Sequence, residues 1–222
     1  MTRAKRILDL VGAGAGVALL SPLFLLVAFL VKAGDGGPVF FRQVRVGHRG
    51  RPFRMWKFRT MVPDAEALGL PLTMGRDSRV TRVGAWLRRL KLDELPQLFN
   101  VLVGDMSLVG PRPEVPRYVA CYGAAQRRVL ELVPGMTDEA SLRYANEGTM
   151  LAAAADPERV YVDEIVPEKI WLNLAYAARA TVWTDVRVIL TTLRQLFWPF
   201  HRTHHAARIP ADPALEHRCT TP

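Results

Sequence analysis

The chain has little cysteine and comparatively few acidic residues. Only two of its 222 residues are cysteines, Cys121 and Cys219, and they lie far apart. This scarcity excludes a scaffold held by several disulfides, and it offers no cysteine-based metal site. Asp and Glu number 21 against 30 Lys and Arg, so the formal net charge is +9 and the pI is about 10.1. Such a surface indicates an anionic partner: nucleic acid, acidic lipid or a phosphorylated substrate.

Charge is also absent from one long stretch near the start. The 22 residues from Leu10 to Val31 include no charged side chain. A straight helix of that length spans about 33 Å, which is enough for the hydrocarbon core of a bilayer. We therefore predict a membrane helix within residues 1–33. A secretory signal peptide is the alternative, since basic residues precede the run, but the run is longer than a typical signal and no small-residue cleavage site follows it.

Two features of this segment favour a helix that enters the membrane and returns on the same side. Ser21 and Pro22 lie in the middle of the apolar run, where proline kinks or breaks a helix at a cost of about 3 kcal/mol. Basic residues flank both ends of the run, and positive charge stays on the cytoplasmic side. The sequence thus predicts a re-entrant helix broken at Ser21–Pro22. A kinked helix that spans the bilayer once is the alternative.

The remaining chain predicts a mostly helical α+β domain over residues 34–200, because its length suits one domain with its own core. The segment "VFFRQVRVGHRGRPFRMWKFRTM" predicts a basic β-hairpin around a "GHRG" turn. This hairpin could bind anionic headgroups or a polyanionic ligand. Its interleaved aromatic residues would also suit nucleic acid, which the membrane helix argues against. Residues 201–222 are predicted to be a disordered tail.

Five further segments have patterns that predict local structure. "TRVGAWLRRLKL" predicts a basic amphipathic helix, and "LDELPQLFNVLVGD" a helix with Asp93 near its N-cap and Pro96 in its first turn. "SLVGPRPEVP" predicts an extended turn, and "EVPRYVACYGAAQRRVLELVPG" one amphipathic helix. "TDVRVILTTLRQLFWPF" predicts a helix with Thr184 as N-cap, packed in the core or lying at a membrane interface.

The adjacent carboxylates Asp93 and Glu94 are the candidate reactive groups. A phosphorylated substrate needs cations such as Arg112, and reaction at phosphorus needs a nucleophile and usually a divalent metal held by a carboxylate. One carboxylate could attack phosphorus while the other binds Mg²⁺. The competing interpretation is structural, because Asp and Glu at a helix start are also what capping and the helix dipole select.

Five blocks of sequence resemble the bacterial sugar transferase family, the monotopic phosphoglycosyl transferases. They are "KRILDL" with the following apolar run, "GGPVFFRQVRVGHRGRPFRMWKFRTM", "TRVGAWLRR", "LDELPQLFNVLVGDMSLVGPRPE" and "PGMTD". The resemblance implies that Asp93 is the nucleophile, that Glu94 holds Mg²⁺, and that Ser21 and Pro22 break the membrane helix. It also implies that Arg88 and Arg112 bind phosphate, and that Lys57 and Arg59 position the ligand.

The function that this resemblance implies is transfer of a sugar-1-phosphate from a UDP-sugar to undecaprenyl phosphate, through a covalent intermediate on Asp93. Such a protein would lie among inner-leaflet phospholipids on the cytoplasmic face of the bacterial inner membrane. It could form a homodimer, and it would not bind nucleic acid. A conventional metal-dependent glycosyltransferase often carries an Asp-x-Asp motif, and this chain has none. The other alternative is a membrane-tethered module that binds anionic lipid or nucleic acid without catalysis. After Pro134 and Gly135 the chain departs from the family pattern, so residues 136–160 leave the sugar open.

Overall fold

Helices dominate the computed structural model of the protein, which describes residues 2–63, 65 and 77–197. The helices of this part of the chain are α1 (Arg3–Asp35), α2 (Arg82–Arg89), α3 (Gln97–Val103), α4 (Pro116–Ala120), α5 (Glu139–Arg143), α6 (Glu147–Ala152), α7 (Pro157–Val160), α8 (Val166–Ala177) and α9 (Val182–Phe197). The strands are β1 (Phe40–Val46), β2 (Pro52–Phe58), β3 (Ser107–Val109) and β4 (Gly135–Thr137). The predicted α+β, mostly helical class is confirmed.

Helix α1 is long and has defined ends. Thr2 accepts a hydrogen bond from the backbone N–H of Lys5 at its start, and Gly36 ends it in the left-handed conformation, with φ of 72°. The helix continues through Pro22, and the Ser21 hydroxyl donates to the carbonyl of Ala18 at 2.9 Å. The predicted break at Ser21–Pro22 is therefore wrong: the helix is not interrupted there. Serine and its neighbours can accommodate a proline within a continuous helix.

One face of α1 packs on the rest of the protein and the other is apolar and exposed. Asp9, Ala13, Val27 and Val31 are buried along its length. Apolar side chains exposed by more than a third of their surface lie elsewhere on the same helix: Ile7, Leu10, Val11, Leu19, Leu25, Leu26 and Phe29. The most apolar 18-residue window has a mean hydropathy of 2.4, so length and composition would allow the helix to enter a membrane.

Both ends of α1 bind the same body of protein. Near its start, the Lys5 ammonium donates to Asp185 at 2.7 Å, and Arg6 donates to the carbonyls of Val101 and Leu102. At its end, Asp35 pairs with Arg59. Helix α1 therefore lies along the domain between two fixed points.

The basic hairpin forms as predicted. Strands β1 and β2 pair antiparallel, with Phe41 opposite Lys57, around a turn at His48–Gly50. The hairpin is held to α3 by the side-chain amide of Asn100, whose oxygen accepts from the N–H of Trp56 and whose nitrogen donates to the carbonyl of Arg54. This contact fixes β2, and with it Lys57, against the next helical segment.

A second pair of strands lies where the sequence predicts an extended turn. Ser107–Val109 pairs in parallel with Gly135–Thr137, so the first part of "SLVGPRPEVP" is a strand. A Cβ atom at Gly135 would approach the backbone nitrogen of Gly110 to 2.1 Å, so the two chains meet too closely for a side chain. Three-residue strands carry too little alternation to be found from sequence. The contact places the Pro111–Pro113 element at the end of β3.

The carboxy-terminal half differs from the predicted helices at two points. The single helix expected over "EVPRYVACYGAAQRRVLELVPG" is wrong, because α4 ends at Ala120 and a separate 3₁₀ segment covers Gln126–Glu131. Helix α9 begins at Val182, and Thr181 caps it by accepting from the N–H of Thr184, so Thr184 is not the N-cap. The predicted tail, residues 201–222, lies outside the described residues.

Candidate active site

Asp93 and Glu94 lie in a 3₁₀ turn, Leu92–Glu94, that precedes α3. Lys91 enters this turn in the left-handed conformation, with φ of 58°, which is uncommon for a residue other than glycine. Helix α3 begins at Gln97, its N-cap is Pro96, and no side chain caps it. The prediction of a helix with Asp93 near its N-cap is therefore wrong, because the N-cap lies three positions later, at Pro96. Capping alone does not account for the two acids.

Glu94 is held by two cations from distant parts of the chain. Arg112 donates from both terminal nitrogens to the two carboxylate oxygens, and the bond from Nη1 to Oε2 is 3.1 Å long. The Lys57 ammonium donates to Oε1 at 3.1 Å. The fork of an arginine matches a carboxylate in this two-point arrangement. Glu94, Arg112 and Lys57, all predicted as site residues, are thus brought together.

These contacts keep Glu94 ionised. Burial would raise the pKa of the Glu94 carboxyl, but the charges of Arg112 and Lys57 and the Arg112 hydrogen bonds lower that pKa well below its ordinary value. Burial also lowers the pKa of Lys57, an effect that the charge of Glu94 opposes. Glu94 therefore carries a fixed negative charge at neutral pH and has an orientation set by its partners.

Asp93 has the opposite environment. It is only 8% exposed, and its carboxylate makes no hydrogen bond to any residue that the structure describes. Burial, followed by the neighbouring charge of Glu94, raises the pKa of Asp93 above its ordinary value, while Lys57 and Arg88 act in the opposite direction. A carboxylate that is poorly solvated and free of donors is a stronger nucleophile than one surrounded by water.

Of the other two predicted arginines, one belongs to this cluster. The charge of Arg88 acts on Asp93, and its Nε donates to the hydroxyl of Thr60 at 2.9 Å. Arg59 instead pairs with Asp35 and donates from Nε to the carbonyl of Pro38 at 2.6 Å. The structure therefore does not place Arg59 at the two acids. It joins the end of α1 to β2.

A cluster of three polar side chains, Arg45, Glu114 and Tyr161, supports the Pro111–Pro113 element, and none of the three was predicted from the sequence. Arg45 donates to the carbonyl of Pro113 at 2.9 Å and lies 3.7 Å from the carboxylate of Glu114. The phenol of Tyr161 donates to the other Glu114 oxygen. These residues come from β1 and from a π-helical turn, Tyr161–Ile165. No local sequence pattern links segments so far apart. The basic character of the hairpin was the one feature of the sequence that indicated a role for Arg45.

The segment that departs from the family pattern lies close to this element. Asp138 and Ser141 line a small cavity of about 50 Å³ together with Arg112. Asp138 is buried, and it accepts from the backbone N–H and hydroxyl of Ser141. Substitutions between residues 136 and 160 therefore change the surroundings of Arg112.

The two acids suit a Mg²⁺ ion only if the substrate completes its coordination. The part of the chain that the structure describes holds no group of three or more acidic, histidine or cysteine side chains able to bind a metal. Both oxygens of Glu94 already accept from cations. Mg²⁺ commonly binds one or two carboxylates and takes its other oxygens from water and phosphates. Asp93 and Glu94 fit a metal that arrives with a phosphorylated substrate.

Known proteins similar to this chain are sugar-phosphate transferases. A family model described as "Bacterial sugar transferase" matches residues 1–199. The chain is 37% identical over 201 residues to the UDP-N-acetylgalactosamine-undecaprenyl-phosphate N-acetylgalactosaminephosphotransferase of Aeromonas hydrophila, with 88% of this chain covered. It is 38% identical over 203 residues to the UDP-glucose:undecaprenyl-phosphate glucose-1-phosphate transferase of Caulobacter vibrioides, with 86% of this chain covered.

The chain is shorter than these relatives. It spans 44% of the length of the Aeromonas hydrophila protein and 69% of the Caulobacter vibrioides protein. The putative undecaprenyl-phosphate N-acetylgalactosaminyl 1-phosphate transferase of Bacillus subtilis is 42% identical over 149 residues, which cover 65% of this chain and 79% of that protein. The matches to the Aeromonas hydrophila and Caulobacter vibrioides proteins cover so much of this chain that they include Asp93, Glu94 and Arg112.

Proposed function

Because the chain belongs to the bacterial sugar transferase family, we propose that it transfers a sugar-1-phosphate from a UDP-sugar to undecaprenyl phosphate. This transfer would start the synthesis of a cell-surface polysaccharide or glycoconjugate. The Caulobacter vibrioides relative is named for glucose and the Aeromonas hydrophila relative for N-acetylgalactosamine. We therefore propose a UDP-sugar as the class of donor, without choosing one sugar.

Asp93 is the nucleophile in this proposal, and the observation that supports it is its burial without a hydrogen-bond donor beside a carboxylate that two cations hold. In the first step an Asp93 oxygen bonds to the β-phosphorus of the donor, the bond from that phosphorus to the bridging oxygen breaks, and UMP leaves. In the second step a phosphate oxygen of undecaprenyl phosphate bonds to the same phosphorus, and the Asp93 carboxylate leaves.

The cations around the dyad serve both steps. A phosphate near Asp93 would meet Lys57, Arg88 and Arg112, which come from β2, α2 and the Pro111–Pro113 element. Their charges reduce the repulsion between an anionic nucleophile and an anionic phosphate, and they orient the phosphate for attack. Mg²⁺, which we propose as the cofactor, would supply further neutralisation of phosphate charge when it is bound.

We also propose that α1 buries its exposed apolar face in the inner leaflet and keeps both of its ends on the cytoplasmic side, so that the domain stays on that face among the phospholipids. Two observations support this placement. Lys5 and Asp35, at opposite ends of α1, both bind the one domain. The helix face turned away from the domain is apolar. A span would put those two ends on opposite sides of the bilayer, which a single domain cannot contact together.

Trapping of the intermediate tests the proposed reaction. The purified protein, incubated with UDP-sugars and Mg²⁺ in the absence of the lipid, should gain the mass of one sugar phosphate on a peptide containing Asp93. Asp93→Asn should abolish the adduct and reduce UMP release by about 10³-fold or more, as loss of a nucleophile does. Asp163→Asn is the matched control, since Asp163 lies in a surface ion pair with Arg159.

The same experiment separates catalysis from the alternative of a membrane-tethered binding module. A module that only binds anionic lipid or nucleic acid would release no UMP from any UDP-sugar, with or without undecaprenyl phosphate. Release that is equal in the wild type and in Asp93→Asn would show that the nucleophile is another group.

A further inference from the structure

Gln97, the first residue of α3, is buried and has an unused hydrogen-bond donor. Its side chain is 1% exposed, and its amide nitrogen has no partner within the described residues. A buried donor left without a partner costs about 1–3 kcal/mol, so such groups are uncommon in folded proteins. Mutation to an apolar residue of similar shape would remove that cost. The Gln97 amide nitrogen therefore needs an acceptor that the described residues do not supply in this conformation.

The chain path places this amide next to the dyad turn. Leu95 and Pro96 have right-handed helical dihedral angles, so the backbone stays helical from Leu92 into α3. The turn Leu92–Glu94 is 3₁₀ and α3 is an α-helix, so Gln97, four positions after Asp93 and three after Glu94, lies about one turn further along the same helical stretch. Helical side chains lean toward the N-terminus. A side chain as long as glutamine can therefore reach back across that turn toward Asp93.

Of these two carboxylates, only one has room for another donor. Glu94 already accepts hydrogen bonds from Arg112 on both oxygens and from Lys57 on one. Asp93 accepts none from the described residues and is 8% exposed, so its carboxylate is largely but not fully buried. One helical turn thus holds an unused donor and an unused acceptor, and a rotation of either side chain can bring them together.

We propose that Gln97 is a positioning residue that donates a hydrogen bond to the Asp93 oxygen that does not attack phosphorus. The inference rests on the proposed function, because it assigns Gln97 a role in the reaction of Asp93. With one oxygen held, the other is directed at the β-phosphorus. The buried amide needs no contact with solvent or substrate for this role, which agrees with its lack of exposure.

The hydrogen bond would assist both steps of the reaction. When one Asp93 oxygen bonds to phosphorus, the other becomes the carbonyl oxygen of an acyl phosphate. In the second step the bond between Asp93 and phosphorus breaks, and its electron pair returns to the carboxylate. A donor at the carbonyl oxygen stabilises that developing negative charge. Gln97 keeps its proton throughout, so no proton transfer is needed.

Gln97→Met tests the proposal, since methionine has a similar shape and no donor. We expect kcat for UMP release to fall about 10- to 100-fold, which corresponds to the loss of one hydrogen bond to a charged group. KM for the UDP-sugar should change by less than about twofold. The acid limb of the kcat profile should move to higher pH, because the lost donor stabilised ionised Asp93. The Tm of the unliganded protein should stay the same or rise, since an unpaired buried donor is removed.

Gln195→Met on the exposed side of α9 is the matched control and should alter none of these quantities. Gln97→Leu, which also lacks a donor, provides a second variant if the methionine variant does not fold, and it should show the same loss of kcat. Three results would overturn the proposal: a rise in KM at constant kcat, a fall in Tm that accounts for the lost activity, or wild-type kcat in both variants. Absence of UMP release by the wild-type protein would instead refute the proposed function.

Discussion

Arg112 binds Glu94 through two nitrogens at once, although the two residues come from different segments on either side of β3. Pro111 and Pro113 flank the arginine, and proline fixes φ near −65°, so the backbone that presents it is stiff. Arg45 holds the carbonyl of Pro113. The pair therefore has a defined geometry that orients Glu94, and the Arg112 side chain remains 29% exposed.

Replacement of Arg112 by lysine should show whether charge or geometry matters. Lysine keeps the positive charge but cannot make two parallel bonds to a carboxylate. We expect kcat/KM for the UDP-sugar to fall at least about 10-fold in Arg112→Lys. Arg117→Lys is the control, because Arg117 makes an exposed ion pair with Glu158, and should keep full activity. Equal kcat/KM values in wild type and Arg112→Lys would show that a point charge is sufficient.

The sequence predicted the parts of this site that lie in continuous motifs. Asp93, Glu94 and Arg112 belong to one long block, so their types and spacing suggested a reaction at phosphorus. The ion pair between Lys57 and Glu94 was not predicted, because it depends on how β2 packs against the dyad turn. Arg59 lies in the same motif as Lys57, yet it pairs with Asp35. Strand β2 ends at Phe58, so Arg59 lies beyond the strand and the alternation of β2 does not set its direction; its role depends on tertiary packing.

The pH dependence of the reaction should reflect the raised pKa of Asp93. The attacking carboxylate must be ionised, and burial together with Glu94 moves its pKa above the ordinary 3.8. Activity should therefore be full above this raised pKa and should fall as the pH drops through it. Lys57→Met removes a cation that favours ionised Asp93, so the acid limb should move to still higher pH. The measurement is kcat/KM for UMP release against pH.

The control for this shift is Arg159→Met, since Arg159 is a surface residue paired with Asp163. Its acid limb should coincide with that of the wild type. A wild-type limb at or below pH 3.8, or a limb that does not move in Lys57→Met, would contradict the assignment of the limb to Asp93.

The ion pair between Lys5 and Asp185 joins the first and last described helices, and it should be important for stability. Asp185 is 2% exposed and accepts from Lys5 at 2.7 Å and from the Tyr176 phenol at 2.6 Å. Lys5→Met leaves a buried carboxylate without its cation, which typically costs about 3–5 kcal/mol. We expect a clear loss of Tm in detergent. The double variant Lys5→Met/Asp185→Asn should recover much of that loss, because it removes the unpaired charge.

A double variant no more stable than Lys5→Met would show that the two residues are not coupled. The single variant Asp163→Asn serves as a control, since a surface pair contributes about 0–1 kcal/mol and should leave Tm almost unchanged.

The helices with distinct boundaries were predicted well, and the short elements were not. Helix α2 confirms the predicted basic amphipathic helix; it begins at Arg82, and Thr81 caps it by accepting from the N–H of Gly84. By contrast, β3 and β4 have three residues each and form only because Gly110 and Gly135 allow a close approach. The helix expected over residues 114–135 is interrupted between Ala120 and Gln126, where the packing of Tyr118 and Tyr122 in the core outweighs a local amphipathic pattern.

The topology of α1 can be tested by labelling. In a protein with Cys121 and Cys219 replaced by serine, single cysteines would be introduced at Thr2 and at Arg54, which lie before and after the apolar run. Both should react in intact cells only after the inner membrane is made permeable to the reagent. The reason is that Lys5 and Asp35 bind the same domain, so the two flanks of α1 lie on one side. Reaction of the Thr2 position from the periplasm would establish a spanning helix, and it would also require the Lys5–Asp185 contact to be absent in the membrane.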